Sequence, residues 1–215
     1  MNRQERYQHV LDYFRQQSPH ATTELQFGSA FQLLCATLLS AQCTDKRINA
    51  VTPALFNKYP TAQAMAQAEP DDLLEFIGSV SYPNAKARHL VDMARMLVNE
   101  YGGEVPSDTK DLTRLPGVGR KTANVLRAVW FGQPVMAVDT HVYRVAHRLG
   151  LVSPSDDTPL KVEQKLERNI PKDDIPSAHH WLLLHGRYVC KSLKPMCGNC
   201  PFDPFCPKIM KDSKL

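Results

Sequence analysis

Two groupings of side chains in this chain are equipped for chemistry. The first is a lysine behind a glycine turn, in the string Leu115-Pro116-Gly117-Val118-Gly119-Arg120-Lys121-Thr122-Ala123. Glycines at 117 and 119 tolerate positive φ and put no Cβ in the way. The backbone N–H groups of Gly117, Val118 and Gly119 could therefore approach a phosphate, assisted by the start of the following helix and by the charge of Arg120. Such a contact sets register on a nucleic-acid backbone without reading bases. Lys121 falls in the first turn of that helix, where a cation opposes the positive end of the macrodipole. As the neutral amine it is a nucleophile able to form a Schiff base with a sugar carbonyl carbon. Taken singly, the glycines read as a tight turn and the lysine as a surface charge. Asp139, in Val138-Asp139-Thr140-His141, reads on its own as the N-cap of another helix.

The second grouping is Cys190-x6-Cys197-x2-Cys200-x5-Cys206, four thiols within one short stretch, while Cys35 and Cys43 stand apart. In a reducing compartment such crowding points to metal rather than disulfides. By chemistry alone, four thiolates suit a tetrahedral zinc or one [4Fe–4S] cluster, and the spacing leaves both open. Lys191 and Lys194 lie between the first two cysteines. A loop pinned by its thiolates would present both to a phosphate backbone. His179, His180 and His185 lie just upstream and are expected to be packed or hydrogen-bonded, since four cysteines already complete a donor set.

The elements that must position these groups read as helices almost throughout. Ser29-Ala30-Phe31-Gln32 predicts a capping box opening an apolar helix through Leu39. From Asn84 to Tyr101, apolar residues recur at three-and-four spacing ahead of Gly102-Gly103. A short helical stretch runs from Asp108 to Leu115, and the lysine helix continues through Val125, Leu126 and Val129 to Gly132. Thr158-Pro159 opens another helix, and Ser177 is a candidate cap for one running through Trp181 and Leu184 to the first clustered cysteine. No alternating strand pattern and no internal repeat stand out. The expectation is an all-α fold of about ten short helices joined by tight turns.

At 215 residues, 43% hydrophobic and 22% charged, the composition is that of a globular protein. The sequence holds no apolar run long enough to span a bilayer and no apolar leader behind the first residues, so a cytoplasmic protein is expected. The net charge is +4, and all of it resides from Gly186 onward, where Arg187, Lys191, Lys194, Lys208, Lys211 and Lys214 face only Asp203 and Asp212. A basic end on a neutral body fits a local anionic partner such as nucleic acid, or a solvated terminus.

The hairpin string, Leu38-Leu39-Ser40-Ala41-Gln42, Val138-Asp139-Thr140-His141, His180-Trp181-Leu182-Leu183-Leu184-His185-Gly186-Arg187-Tyr188 and the cysteine spacing together resemble the endonuclease III family of helix-hairpin-helix DNA glycosylases, nearly end to end. The resemblance implies a two-domain fold: a helical barrel over residues 23–133, and a discontinuous domain from residues 1–22 and 134–215. It implies a [4Fe–4S] cluster on Cys190, Cys197, Cys200 and Cys206. The implied partner is double-stranded DNA with damaged pyrimidines or abasic sites, bound by a monomer in a bacterial, nucleoid-associated setting. The implied activity is base excision with strand cleavage by β-elimination. Lys121 would be the nucleophile, and Asp139 would stabilise charge developing at the sugar C1′ and help move protons. Gln42 would enter the space left by the flipped base, and His141 would join the DNA contacts. An adenine-specific mismatch branch of the superfamily carries a glutamate where this chain has Ala36 and lacks the hairpin lysine, which disfavours that reading. One stretch departs from the family: residues 77–87 look longer than the compact loop that contributes an apolar wedge opposite the lesion, and Val80 and Tyr82 are both candidates. Rival readings are a non-catalytic DNA-binding or redox-sensing iron–sulfur module, a glycosylase of altered lesion or mismatch preference, and a zinc-stabilised interaction protein.

Overall fold

The structure, a computed structural model, describes residues 1–209; Lys211, Asp212 and Lys214 of the basic end lie outside the described residues. Eleven α-helices and two single 3₁₀ turns make up the described chain, with no strand among the described residues. It divides into two compact units, Glu24–Phe131 and, as a discontinuous body, Met1–Thr23 together with the chain from Gly132 onward.

The Glu24–Phe131 unit contains α2 (Ala30–Leu39), α3 (Asp45–Lys58), α4 (Ala62–Ala66), α5 (Pro70–Ile77), α6 (Pro83–Tyr101), α7 (Thr109–Leu112) and α8 (Arg120–Val129). Helix α2 is apolar on every face and accordingly central, with Phe31, Leu33, Leu34, Cys35, Ala36, Leu38 and Leu39 all buried. Around it lie Ile48, Leu55, Met65, Leu73, Ile77, Leu90 and Met93, each fully buried, so the core is almost wholly aliphatic. Cutting one such leucine to alanine would cost about 2–5 kcal/mol. Ser29 caps α2 by accepting from the Gln32 N–H at 3.2 Å. The returning half of the expected box is displaced by one residue: Gln32 Oε1 accepts from the Gly28 N–H at 2.7 Å. Helix α6 ends at Gly102 (φ 63°), with the Gly103 N–H bonded to the Leu97 carbonyl at 2.8 Å.

The discontinuous unit contains α1 (Arg3–Gln17), α9 (Thr140–Arg148), α10 (Pro159–Asn169) and α11 (Ile175–Tyr188), with 3₁₀ turns at Lys172–Asp174 and Cys197–Asn199. Its core leans on aromatic rings: Phe14 stacks on Trp181 at 5.7 Å and meets Phe202 edge-on at 5.3 Å. The Trp181 indole N–H donates to the Ser18 carbonyl at 2.6 Å, tying the end of α1 to α11. Ser177 does not cap α11. The helix begins two residues earlier, at Ile175, with Pro176 in its first turn, and proline's preset φ starts the helix without a side-chain cap.

Candidate DNA-binding and catalytic site

The hairpin is shorter on its first side than its sequence indicates: α7 stops at Leu112, and Thr113 to Leu115 lie outside any helix. Gly117 has φ 76°, and a Cβ there would lie 2.9 Å from both His89 Cβ and Leu38 Cδ1. Backbone conformation and packing thus both require glycine at this position. Val118 departs from expectation as a backbone contact. Its side chain is buried, and its N–H donates to the Leu115 carbonyl at 3.0 Å, closing the turn from inside. Gly119 is the N-cap residue of α8, offers no side chain to the helix N–H groups, and has open space where a Cβ would point. Gly117, Gly119, Arg120 and Lys121 are all exposed. Helix α8 buries Ala123, Asn124, Val125, Leu126 and Ala128, which leaves Lys121 in the exposed first turn. Arg127 donates to Thr109 Oγ1 at 2.7 Å, joining α8 to α7.

In the same unit Gln42 is exposed with a left-handed backbone (φ 57°) just after α2. The connection that looked long in the sequence is compact. Helix α6 starts at Pro83, so residues 83–87 are helix and only 78–82 link it to α5. Within that link Val80 belongs to the core, whereas Tyr82 is 64% exposed and left-handed (φ 55°). Ala36 lies in the core, and neighbouring Thr37 Oγ1 is bonded to the Leu33 carbonyl.

In the discontinuous unit Asp139 caps α9, its Oδ1 accepting from the Val142 N–H at 2.8 Å. The half-buried His141 lies two residues on, its Nδ1 3.2 Å from Arg144 Nη2. Burial holds its pKa below the ordinary histidine value, the Asp139 charge opposing that effect and Arg144 adding to it. Arg144 donates to the carbonyls of Cys190 at 3.1 Å and Gly186 at 2.9 Å. Gly186 has no room for a side chain, since a Cβ there would sit 2.9 Å from His141 Cβ. Helix α9 therefore carries Asp139 at one end and grips the cysteine loop at the other.

All four clustered cysteines line one cavity of about 240 Å³, together with Arg148, His185, Val189 and Met196. Among the described residues no three His, Cys, Asp or Glu side chains converge tightly enough for a single metal ion. Arg148 donates to the carbonyls of Lys191 at 2.7 Å and Ser192 at 3.2 Å and lies 3.6 Å from Cys190 Sγ. His185 Nε2 is 3.6 Å from Cys200 Sγ, and burial pushes its pKa down to about 4. Burial raises the thiol pKa values of Cys200 and Cys206, and the other cysteines of the cluster reinforce the rise. Lys191 and Lys194 are exposed, the latter left-handed (φ 52°), and Leu193 between them is 85% exposed. What sequence reasoning missed is a set of polar contacts beneath Gln42 and Tyr82, made by Cys43, Ser81 and Lys86.

Residues 35–172 match the HhH-GPD superfamily of base excision DNA repair proteins. The chain is 44% identical to endonuclease III of Rickettsia conorii over 197 residues, covering 92% of this chain and 93% of the relative. It is 42% identical to endonuclease III of Escherichia coli K12, covering 96% of both. Among solved structures, a trapped endonuclease III–DNA covalent intermediate superposes with a TM-score of 0.91 at 42% identity, over 97% of each chain. A thermostable thymine-DNA glycosylase shares the fold, with a TM-score of 0.84 at 21% identity. With the lysine hairpin, the capped aspartate and the four-thiol loop in place, and with these matches spanning nearly its whole length, the chain belongs to the HhH-GPD superfamily and, within it, to the endonuclease III family.

Proposed function

We infer that this protein is a base-excision repair enzyme, a bifunctional DNA glycosylase and abasic-site lyase that removes oxidised pyrimidines and cleaves the strand by β-elimination. The observation that carries this is an exposed lysine in the first turn of a helix whose cap, Gly119, is bare and open, in a chain of this family. Gly117 and Gly119 would hold a phosphate, with Arg120 supplying charge. Gln42 would occupy the space of the extruded base. Tyr82 takes the wedge role, because Val80 is committed to the core. Damage weakens stacking and pairing, which makes extrusion cheaper.

Lys121 Nζ attacks C1′ as the bond from C1′ to the base nitrogen breaks, and the departing base takes up a proton. Asp139 offsets the positive charge that develops at the sugar. Loss of a proton from the amine and opening of the sugar give the Schiff base. Removal of a C2′ proton then expels the 3′ phosphate, and hydrolysis frees the lysine. Asp139 is the group assigned to these proton movements. His141, Lys191 and Lys194 are assigned to backbone contacts.

Four sulfur donors around a volume far larger than one ion suit a polynuclear iron–sulfur group better than a single zinc. Cys190, Cys197, Cys200 and Cys206 would hold a [4Fe–4S] cluster, which supplies a covalent staple for the loop bearing Lys191 and Lys194. No step of the reaction is assigned to it.

The test is borohydride trapping on a duplex bearing an oxidised pyrimidine. The parent protein should give a protein–DNA adduct mapping to Lys121. Lys121→Gln should bind the duplex but give neither adduct nor product, and Lys121→Arg, which keeps the charge without a neutral amine, should fail equally. A Lys121→Gln protein trapped at parental yield through another amine would overturn the assignment.

A further inference from the structure

The Glu24–Phe131 unit holds two described non-glycine residues with left-handed backbones, Gln42 (φ 57°) and Tyr82 (φ 55°), and both are exposed. One follows α2 and the other precedes α6, forty positions apart in the chain. That conformation costs an L-residue roughly 1–2 kcal/mol. It persists only where the surroundings over-determine it, and such positions gather at functional sites.

The surroundings here hold Gln42 through Ser81, the neighbour of Tyr82, and tie Ser81 in turn to Cys43, the neighbour of Gln42. Ser81 Oγ donates to the Gln42 carbonyl at 2.9 Å. The Ser81 N–H donates to Cys43 Sγ at 3.1 Å, and the same sulfur lies 3.4 Å from Ser81 Oγ. Beneath them the buried Lys86 donates to the carbonyls of Leu39 at 2.8 Å and Ala41 at 2.6 Å, and its Nζ is 3.8 Å from Cys43 Sγ. The ammonium thus has an acceptor for each of its three donors. It also neutralises the carbonyl end of α2, where helix C-termini leave unsatisfied oxygens and negative potential. Burial of the Cys43 thiol opposes its ionisation, but the Ser81 hydrogen bonds and the Lys86 charge outweigh it and bring the pKa below the ordinary value. Lys86 is held below its own ordinary value by burial, which the sulfur partly offsets.

We propose that Lys86, Cys43 and Ser81 form a clasp that locks Gln42 and Tyr82 into one rigid pair, and that these three are positioning residues for the entry of that pair into the duplex. This rests on the reading of Gln42 and Tyr82 as the DNA-inserting residues. Two independently mobile loops would each lose conformational freedom on insertion, whereas a preorganised pair has lost it during folding. The demand is greatest when a base must be unstacked and held out. It is smallest at a preformed abasic site, where no base has to leave the helix.

The experiment compares single-turnover base excision from a duplex containing an oxidised pyrimidine with nicking of the same duplex carrying a preformed abasic site. Cys43→Ala/Ser81→Ala removes the Cys43 and Ser81 contacts of the clasp without adding bulk, and Ser81→Ala alone guards against loss of folding in the pair. Base excision should slow by roughly ten- to a hundredfold while abasic-site nicking stays within about threefold of parent, since a small misplacement penalises only the step that needs the pair. Tyr82→Ala should cost less in the Ser81→Ala background than in the parent, the signature of residues acting through one another. Equal slowing on both duplexes, or no slowing on either, would overturn the clasp while leaving the enzyme assignment standing. A parent protein inert on both duplexes would overturn the enzyme assignment and the clasp with it.

Discussion

The two units hold themselves together by different means. The Glu24–Phe131 unit is one unbroken run of chain around aliphatic side chains, and it contains a single histidine, His89, which is exposed. The discontinuous unit carries the other seven histidines and builds its core around Phe14, Trp181 and Phe202. Among the described residues after α11, it has no helix longer than three residues, and Phe202 alone is fully buried. What shapes that last stretch is polar: Arg144 and Arg148 on its carbonyls, and four thiols around a cavity. Apolar burial can hold the first unit by itself. The cysteine loop has little apolar surface to bury, so its order should depend on whatever the thiols bind.

The strongest way to break this contrast is to remove one of the four clustered cysteines. Binding of a structural metal centre can be worth about 10 kcal/mol of folding free energy, more than the loop's own contacts can supply. Cys200→Ser should lose the visible thiolate-to-iron absorption and expose Lys191 and Lys194 to trypsin. DNA binding should weaken sharply, while the Glu24–Phe131 unit still unfolds at its parental temperature. Metal analysis, limited proteolysis and a melt followed by circular dichroism read these together. A loop that stays protease-resistant without iron would show that the arginines suffice.

A smaller effect tests whether the less self-sufficient unit contributes to the reaction itself. Asp139→Asn keeps an acceptor for the Val142 N–H, so α9 should remain capped and the melt nearly unchanged. The single-turnover rate should fall by roughly 10²–10³, the range for losing one electrostatic stabiliser. A well-folded variant at parental rate would reduce Asp139 to a cap.

The same contrast explains what could be read from sequence. Periodicity and caps are local, so α6, α8 and α10 and the cap at Asp139 were legible, and the clustered cysteines stood out because they crowd one loop. Local rules failed where equally good local options competed. Pro176 in a first turn outweighed Ser177 as a cap, and Gln32 reached Gly28 in place of Ser29. Val118 looked available until the turn consumed its N–H, and only burial separates Val80 from Tyr82. The Cys43–Ser81 and Lys86–Leu39 contacts join residues 38 and 47 positions apart, and nothing in either short stretch marks its partner. A buried lysine inside an amphipathic helix reads as a solvated one until its acceptors are seen.

A milder perturbation sharpens the picture of the loop as a DNA-facing surface. Lys191→Ala/Lys194→Ala leaves the cysteines and the arginine contacts to backbone carbonyls in place. If each lysine neutralises one phosphate, the slope of log affinity against log salt should fall by about two. An unchanged slope would mean that the loop faces away from DNA and that the hairpin carries the electrostatic binding alone.

The smallest effect concerns acid sensitivity, which the half-buried His141 and the buried His185 place in the discontinuous unit. His141 is held below its ordinary pKa by burial, with Asp139 opposing and Arg144 and Arg187 contributing in the same direction as burial. In the unfolded chain its pKa returns to about 6.5. Over the interval between the unfolded and folded values, the unfolded state therefore binds the proton more readily. Stability contributed by neutral His141 is fully present above the unfolded pKa and is lost as pH falls toward the folded one. His185, pushed down to about 4 by burial, acts in the same sense, but it is present in both parent and variant and cancels in their difference. His141→Gln should accordingly lose less melting temperature than the parent between neutral pH and mildly acid pH. The gap should be no more than about 2–4 °C for a protein of this size. It should appear in the transition of the discontinuous unit, which contains His141, and not in that of the Glu24–Phe131 unit. Parallel melting curves for parent and variant over that range would show that His141 is solvated equally in both states, and the acid sensitivity of the unit would then rest on His185.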